Sequence, residues 1–261
     1  KFNFGLDLSA SYTFGHAKSV NDGTSSVANS NWKYNYSVDT NSKDEVSFSK
    51  FDIPHRVMLQ ASYNSPKYWN GWTSTTIAVI YNGFSGSRYS LTINEKKSDF
   101  NSDGQYGNSL LYIPTEKELD QMLFTSVDSK GEPLKMTAEE SRAAFKQWLE
   151  NDSYAKNHRG QFAERNSNLS KWEHQIDLHL AQHIYNVQGV GKLEFTVDIL
   201  NFANMLNKKW GASYDSAFNL SPVTLEYFKD GKAYYSYNKA EIKKSDIGSR
   251  WHCQVGVRLT F

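Results

Sequence analysis

Apolar and polar side chains alternate along several separate stretches of the chain. In the stretch 251–261 the apolar members are Trp251, Cys253, Val255, Val257, Leu259 and Phe261, with His252, Gln254, Gly256, Arg258 and Thr260 between them. Successive side chains of a β-strand point to opposite faces of a sheet, so this period of two predicts a strand with one apolar and one polar face. The same pattern predicts about six long strands, at about residues 2–14, 57–63, 73–88, 172–184, 192–199 and 251–261.

The connections between these strands alternate in length. Long segments cover about residues 16–50, 89–170 and 205–249, whereas short turns cover about 64–71 and 185–191. Outer-membrane β-barrels have this asymmetry, with short periplasmic turns and long extracellular loops. Structureless loops beyond about 15 residues are uncommon in compact soluble domains. The spacing therefore favours an all-β, antiparallel transmembrane β-barrel segment with long extracellular loops.

Composition agrees with a barrel rather than a helical membrane protein. Mean hydropathy is low, at −0.65, although 15% of the residues are aromatic. No stretch reaches the roughly 20 apolar residues of a membrane helix, whereas each barrel strand needs only half an apolar face. A net charge of +1 argues against a nucleic-acid partner. A single cysteine, Cys253, excludes a disulfide scaffold and is interpreted as a small apolar residue on the apolar face.

The polar faces of the predicted strands carry charged and ionisable residues, which are expected to line a wet or plugged lumen because they cannot face lipid. These are Asp7, Arg56, Glu173, Asp177, His179, His183, Lys192, Glu194, Asp198 and Arg258. We predict a register with His183 opposite Glu194 and His179 opposite Asp198. A shift by two would oppose Asp177 and Asp198, a destabilising like-charge pair. A metal-binding or acid–base role is the alternative interpretation of the histidines.

The short-turn end of the predicted sheet carries two further signals. An aromatic girdle at the lipid headgroups is expected there, although turn-capping aromatics of a soluble sheet are an alternative; its members are Tyr63, Tyr68, Trp69, Trp72 and Tyr185. The spacing of Gln254, Gly256, Leu259 and Phe261 resembles the C-terminal signal that delivers bacterial outer-membrane barrels to their assembly machinery.

The 89–170 segment predicts local structure of its own. Thr115 with Glu118, and Thr137 with Glu140, match the capping box that begins a helix. Two short helices are therefore expected. Their apolar faces would comprise Leu119, Met122 and Leu123 in the first, and Ala144, Phe145, Trp148 and Leu149 in the second.

Upstream of these helices, Asp99, Asn101, Asp103 and Gly104 match the start of a calcium-binding loop, with oxygen ligands at alternate positions and a glycine at the sharp turn. The bidentate glutamate expected at the twelfth position is absent, because Leu110 stands there. A structural Ca²⁺ site and a plain Asp/Asn turn are both compatible with the pattern. No other cofactor is expected.

Five motifs resemble, in order, the C-terminal barrel region of TonB-dependent outer-membrane receptors, and most closely the Oar-like branch common in Bacteroidetes. They are Phe51 to Arg56, Asp99 to Gly104 followed by Leu110 to Pro114, Glu164 to Ser167, Asp198 to Asn207 with Trp210-Gly211, and the terminal strand. Two positions depart from that branch. Asn108-Ser109 stands where Asn-Asp is common, and Lys171 precedes Trp172 where proline is frequent.

The resemblance implies a plugged barrel of about 22 strands, of which this chain would be the C-terminal part, since even the smallest barrel has about 8 strands. An N-terminal plug and a TonB-contacting segment would belong to a longer protein. The implied function is energy-coupled uptake of an extracellular substrate across the outer membrane of a Gram-negative cell. The implied partners are the TonB complex, the assembly machinery, the plug and lipid. The C-terminus would be periplasmic.

Two other functions remain open from the sequence. One is an outer-membrane adhesin or secretion-linked barrel without transport, and the other is a secreted all-β binding module. No catalytic residues are predicted, since nothing resembles a nucleophile elbow or a zinc-binding helix. Substrate-binding residues cannot be assigned from composition.

Overall fold

Strands dominate the computed structural model, which describes residues 1–23, 25–39, 45–96, 98–100, 104–187, 191–215 and 219–261. In chain order the strands are β1 Leu6–Phe14, β2 Lys18–Ser19, β3 Ser47–Phe48, β4 His55–Asn64, β5 Thr73–Phe84, β6 Arg88–Leu91, β7 Tyr112–Ile113, β8 Leu123–Phe124, β9 Gln161–Phe162, β10 Asn168–Leu169, β11 Glu173–Val187, β12 Gly191–Leu200, β13 Ser213–Tyr214, β14 Asn219–Leu220, β15 Val223–Lys229, β16 Lys232–Tyr237, β17 Lys244–Ser245 and β18 His252–Thr260. The helices are α1 Ala28–Lys33, α2 Glu116–Gln121, α3 Ala138–Asn151 and α4 Phe202–Leu206, with a 3₁₀ turn at Ala155–Asn157.

The long strands form one six-stranded antiparallel sheet in the order β1-β4-β5-β11-β12-β18. Each strand lies beside the preceding long strand of the chain, so the sheet is an up-and-down meander. The six strands predicted from the alternating pattern are confirmed. The predicted register is also confirmed, because His183 pairs with Glu194 and His179 pairs with Asp198.

Two predicted strand ends were wrong. The first strand begins at Leu6 rather than Phe2, because Gly5 adopts a positive φ of 98° and its N–H bonds to the Phe2 carbonyl in a turn. The third strand ends at Phe84 rather than near Arg88. Arg88 instead begins β6, which pairs with β10 and β14 outside the main sheet. At both strand ends, the alternation of apolar and polar residues in the sequence therefore extends beyond the residues that pair in the main sheet.

The long connections fold into an assembly of short strands and helices at one end of the sheet, here named the loop assembly. Both predicted helices are confirmed, and each begins with a complete capping box: Thr115 with Glu118 in α2, and Thr137 with Glu140 in α3. Helices α1 and α4 were not predicted from the sequence.

The hydrophobic core of the chain lies in the loop assembly and not against the six-stranded sheet. Phe145 and Leu149 of α3 and Leu119 of α2 are each at most 2% exposed. They pack with Leu91, Ile113 and other residues of the short strands and turns. Water-excluded apolar contacts of this kind dominate folding stability, so the loop assembly has the packing of a soluble domain.

Candidate functional site

The main sheet has two chemically different faces. Direct cross-strand partners share a face, so the row Leu8, Ala61, Val79, Leu178, Ile199 and Cys253 runs across all six strands on what we name the apolar face. Leu8 is 56% exposed and Val255 is 71% exposed. Soluble monomers rarely expose a contiguous apolar surface of this extent, whereas a barrel wall presents such a surface to lipid.

An aromatic belt crosses the apolar face at the end nearest the loop assembly, here named the long-loop end. Its rings are Tyr12, His55, Trp172, His174 and Tyr81, with neighbouring centroids 6.0–6.3 Å apart and planes within 28° of parallel. Tyr12 Oη lies 2.8 Å from His55 Nδ1, and Tyr81 Oη lies 2.8 Å from His174 Nδ1. The belt was not predicted from the sequence, although aromatic and histidine residues recur at alternate positions near three of the strand ends.

The opposite, short-turn end carries the aromatic residues that were predicted as a girdle. Tyr63 lies on the apolar face, where it pairs with Leu6 and Ile77. Trp69 is 80% exposed in a turn with positive φ. The assignment of Tyr185 to this girdle was wrong, because its hydroxyl lies 3.0 Å from Ser74 Oγ on the other side of the sheet. Residues 188–190 of the second predicted turn lie outside the described residues.

The opposite side of the sheet, named the polar face, collects every residue predicted to line a lumen. Register places them together there: Asp7, Arg56, Glu173, Asp177, His179, His183, Lys192, Glu194, Asp198 and Arg258. In the terminal strand, Gln254 and Gly256 lie on this face, whereas Leu259 lies on the apolar face. Phe261 follows β18 and is 96% exposed. Their role as an assembly signal stays a prediction.

Ionic contacts link strands β11, β12 and β18 across the polar face. Glu194 is central, since its oxygens lie 3.0 Å from His183 Nδ1, 3.8 Å from Lys192 Nζ and 3.9 Å from Arg258 Nη1. The His183 contact has ion-pair distance without hydrogen-bond alignment. His179 Nδ1 lies 2.6 Å from Asp198 Oδ1. The opposite-charge pair of Glu194 and Arg258 and the His179–Asp198 hydrogen bond stabilise the register and make this face suited to water rather than lipid.

At the long-loop end of the polar face, two carboxylates hold the connection between β12 and β18. Glu173 accepts hydrogen bonds from Ser213 Oγ at 2.8 Å and from the Tyr214 N–H at 3.0 Å. Asp177 accepts from the Asn201 N–H at 2.7 Å. The Asn201 side chain in turn donates to the carbonyls of Gly211 and Ser249, at 2.8 and 2.9 Å. Both carboxylates therefore position a loop over the strands.

A buried ion pair joins the segment that precedes β4 to the start of β6. Arg88 Nε donates to Asp52 Oδ2 at 2.6 Å, and the Arg88 guanidinium also donates to the Asn166 carbonyl at 3.1 Å. Burial would raise the pKa of Asp52, but hydrogen bonds from the Ala17 N–H, Arg88 and His16 outweigh it and lower the pKa. Asp52 is consequently charged and paired at neutral pH.

Arg165 forms a second set of buried contacts between segments of the loop assembly. We name this set the Arg165 joint. The Arg165 guanidinium donates to Ser47 Oγ and to the Ser19 carbonyl, each at 2.6 Å, and also to the Val20 carbonyl and Asn35 Oδ1. Burial lowers the pKa of Arg165 because it removes the charge from water. Charge-assisted hydrogen bonds to several backbone groups compensate for this burial and hold the 16–50 segment in place.

Two cavities have Arg165 in their walls. One has a volume of about 510 Å³ and is lined by residues including Tyr36, Glu45, Phe48 and Phe162. The other has a volume of about 590 Å³ and is lined by residues including Asp22, Tyr34 and Phe51. Cavities of this size, with aromatic walls and a few polar groups, suit small ligands or short segments of larger ones. These cavities were not predicted from the sequence, because their walls come from segments that are distant in the chain.

The predicted calcium loop is only partly described, because Asn101 and Asp103 lie outside the described residues. Asp99 Oδ2 accepts a 2.8 Å hydrogen bond from the Gly104 N–H, and Gly104 has a φ of 81°. Within the described ranges, no cluster of three or more His, Cys, Asp or Glu side chains could hold a metal. The calcium site therefore stays a prediction, to be tested by calcium titration during thermal unfolding.

Comparison with known proteins identifies the family. Residues 1–218 match the family model described as an outer membrane beta barrel domain. No curated protein matches the chain, and no solved structure matches it. Within the described residues, none of the helices has the length and apolar character to cross a membrane. The family match covers well over half of the chain, so the chain belongs to the outer membrane β-barrel family.

Proposed function

We propose that this outer membrane β-barrel protein is a TonB-dependent receptor that takes up a substrate across the outer membrane. The six strands would form part of the barrel wall, with the apolar face toward lipid and the polar face toward the lumen. The loop assembly would lie outside the cell and capture the substrate, and the short turns and the C-terminus would face the periplasm. The TonB complex and a plug domain would be its partners.

The observation that carries this proposal is where the receptor-like motifs lie in the fold. Asp52 of the first motif forms the buried pair with Arg88, and Arg88 also binds the backbone of Asn166 in the third motif. Asn201 and Gly211 of the fourth motif are hydrogen-bonded to each other. Each of these motifs thus supplies a joint between the sheet and the loops. Structural contacts made by these motifs are what a common role in such receptors would require, and they support the proposal.

The loop cavities support substrate capture. Both share Arg165, Asn35 and Tyr36 in their walls. Arg165 is engaged in structural hydrogen bonds, and the other walls carry aromatic rings, carboxylates and two lysines, Lys18 and Lys50. The proposed site therefore favours a ligand that offers apolar or aromatic surface together with polar groups.

The test uses the full-length protein in its own outer membrane. Molecules that copurify with the detergent-extracted protein are identified by mass spectrometry, and their accumulation by cells is measured with and without a functional TonB complex. We expect surface binding to persist and accumulation to fall to background when the TonB complex is disrupted. Unchanged accumulation would refute energy-coupled uptake, and binding with no accumulation in either strain would favour the adhesin. The exposed apolar face argues against the secreted module.

A further inference from the structure

A groove of about 320 Å³ opens on the apolar face at the long-loop end of the main sheet. Its floor is part of β11 and the residue before it, namely Trp172, His174 and Ile176. Its walls come from the connection that follows α4, including Lys209, Trp210 and Tyr214. The groove therefore lies where the aromatic belt meets the loop assembly, at the edge of the lipid-facing surface.

The side chains that line this groove carry positive charge or none, and Glu173, which accepts from the Tyr214 N–H, does not line it. Its described lining contains Lys209 and His174 and no carboxylate. A further cation, Lys171, lies with its Nζ 5.5 Å from the centroid of the Tyr214 ring that lines the groove. Positive side chains beside an apolar floor suit a ligand with an anionic end and a hydrocarbon end.

His174 is held in a fixed orientation within the groove. Tyr81 Oη lies 2.8 Å from its Nδ1, and the Trp172 ring stacks beside it at 6.1 Å. Gly83 makes this arrangement possible, because a Cβ there would lie 2.3 Å from the Tyr81 hydroxyl. With Nδ1 engaged by Tyr81, Nε2 is the ring nitrogen that a ligand can reach, and no described residue forms a hydrogen bond with it.

We propose that this groove binds a phosphate-bearing membrane lipid. The acyl chain would lie along Ile176, and the phosphate would face Lys209, Lys171 and His174 Nε2. Trp172 and Tyr81 are amphipathic aromatic residues of the kind found at lipid headgroups, so the phosphate and the cations would meet at the depth where both are stable. This site is separate from the loop cavities, and it depends on the membrane-facing surface but not on transport.

Lipid binding is tested on the full-length protein in detergent by native mass spectrometry. The probes are dioctanoyl phosphatidic acid, dioctanoylglycerol and inorganic phosphate. We expect saturable binding of the phosphatidic acid and no binding of phosphate alone. Dioctanoylglycerol should bind about tenfold more weakly than phosphatidic acid, because it cannot form the charge-assisted contacts. Lys209→Ala should weaken phosphatidic acid binding by about tenfold. Lys208→Ala is the matched control, because it removes the same charge from the neighbouring residue, which does not line this groove.

Two further variants separate the ligand contact from the fold. His174→Phe keeps a stacking ring and removes both nitrogens, whereas Tyr81→Phe keeps the ring and removes the hydroxyl that holds Nδ1. Both should weaken phosphatidic acid binding with the circular dichroism of the sheet unchanged. Equal affinity in Lys209→Ala and Lys208→Ala, or equal affinity for both lipids, would overturn the proposal. Binding of inorganic phosphate with the same affinity would identify an ion site instead.

Discussion

Asp52 and Arg88 lie 36 residues apart in the chain and form a 2.6 Å ion pair in which both side chains are at most 4% exposed. Arg88 also stacks on the Phe48 ring, with its guanidinium carbon 3.7 Å from the ring centroid. The pair lies just outside the sheet, where β4 begins and β6 departs. It therefore fixes how two segments of the loop assembly leave the six-stranded sheet.

Replacement of Asp52 by Asn should destabilise the loop assembly strongly. The substitution leaves the buried guanidinium of Arg88 without its counter-charge, which typically costs about 3–5 kcal/mol. Hydrogen exchange on the full-length protein should show faster exchange around β6 and the 161–170 segment. The control is Glu116→Gln, because Glu116 belongs to an exposed pair with Lys146 at 3.7 Å and should change stability by less than about 1 kcal/mol. Equal effects of both substitutions would contradict the assigned importance of the pair.

The pairing register on the polar face can be tested by disulfide formation. In a background with Cys253→Ala, the double variant His179→Cys/Asp198→Cys should crosslink, since these residues are direct partners. Asp177→Cys/Asp198→Cys should crosslink much less, because the two positions are offset by two residues and lie beyond disulfide reach. Yields are compared by mass spectrometry after mild oxidation. A reversed order of yields would show that the register is wrong.

The two faces of the terminal strand should differ in their accessibility to oxygen and to a water-soluble nickel complex. With Cys253→Ala as background, a spin label at Val255→Cys should collide mainly with oxygen, which concentrates in lipid. A label at the neighbouring Gln254→Cys should collide mainly with a water-soluble nickel complex, since successive side chains point to opposite faces. The measurement is power-saturation electron paramagnetic resonance in liposomes. Equal accessibility at the two positions would contradict a lipid-facing apolar side.

Substitution of Gly211 by Ala should weaken the loop that follows β12. Gly211 has a φ of 57°, and an added Cβ would lie 1.9 Å from Asn201 Oδ1. Backbone strain and displacement of the Asn201 side chain should together cost about 1–3 kcal/mol. Gly15→Ala is the control, because an added Cβ there meets nothing within 4 Å. Thermal unfolding of both variants gives the comparison, and a Gly211 variant as stable as the control would refute the expected clash.

Glu95 should make stability depend on pH in the direction opposite to Asp52. It is fully buried, and its Oε2 accepts from the Gly107 N–H at 2.9 Å. Burial raises the pKa of Glu95, so its contribution is fully present below the unfolded pKa and is lost as pH rises through the folded pKa. Burial and hydrogen bonds leave the pKa of Asp52 lowered, so its contribution is lost as pH falls.

Glu95→Gln should therefore raise the melting temperature at neutral pH and have little effect in acid. The amide keeps an oxygen for the Gly107 N–H and carries no buried charge. Glu164→Gln, at an exposed position, should leave the pH profile unchanged. A Glu95 variant that is less stable than the wild type at neutral pH would show that the carboxylate has a positive partner, of which a bound cation is the first to test.

Local sequence patterns predicted the parts of the fold that depend on neighbouring residues. The alternation of apolar and polar residues predicted the six strands, and the capping boxes at Thr115 and Thr137 predicted two helices. The register was predicted because the alternative would place Asp177 opposite Asp198. The pattern failed at Gly5, where a positive φ delays the start of the first strand to Leu6 although the alternation begins at Phe2.

The candidate sites were much less predictable. The Arg165 joint gathers groups from residues 19, 20, 35 and 47, more than 100 positions away. No periodicity relates such residues, because their contacts depend on how the long connections pack. The aromatic belt was missed for a similar reason, since its rings come from β1, β4, β5 and the start of β11.

A packed core outside the membrane sheet has an immunological consequence. Loops that fold around Phe145 and Leu149 present surfaces built from distant parts of the sequence, rather than flexible peptides. With the proposed orientation, antibodies raised against intact cells would recognise conformational epitopes. Synthetic peptides copied from single loops would compete poorly for such antibodies, and a vaccine based on this region would have to preserve the folded assembly.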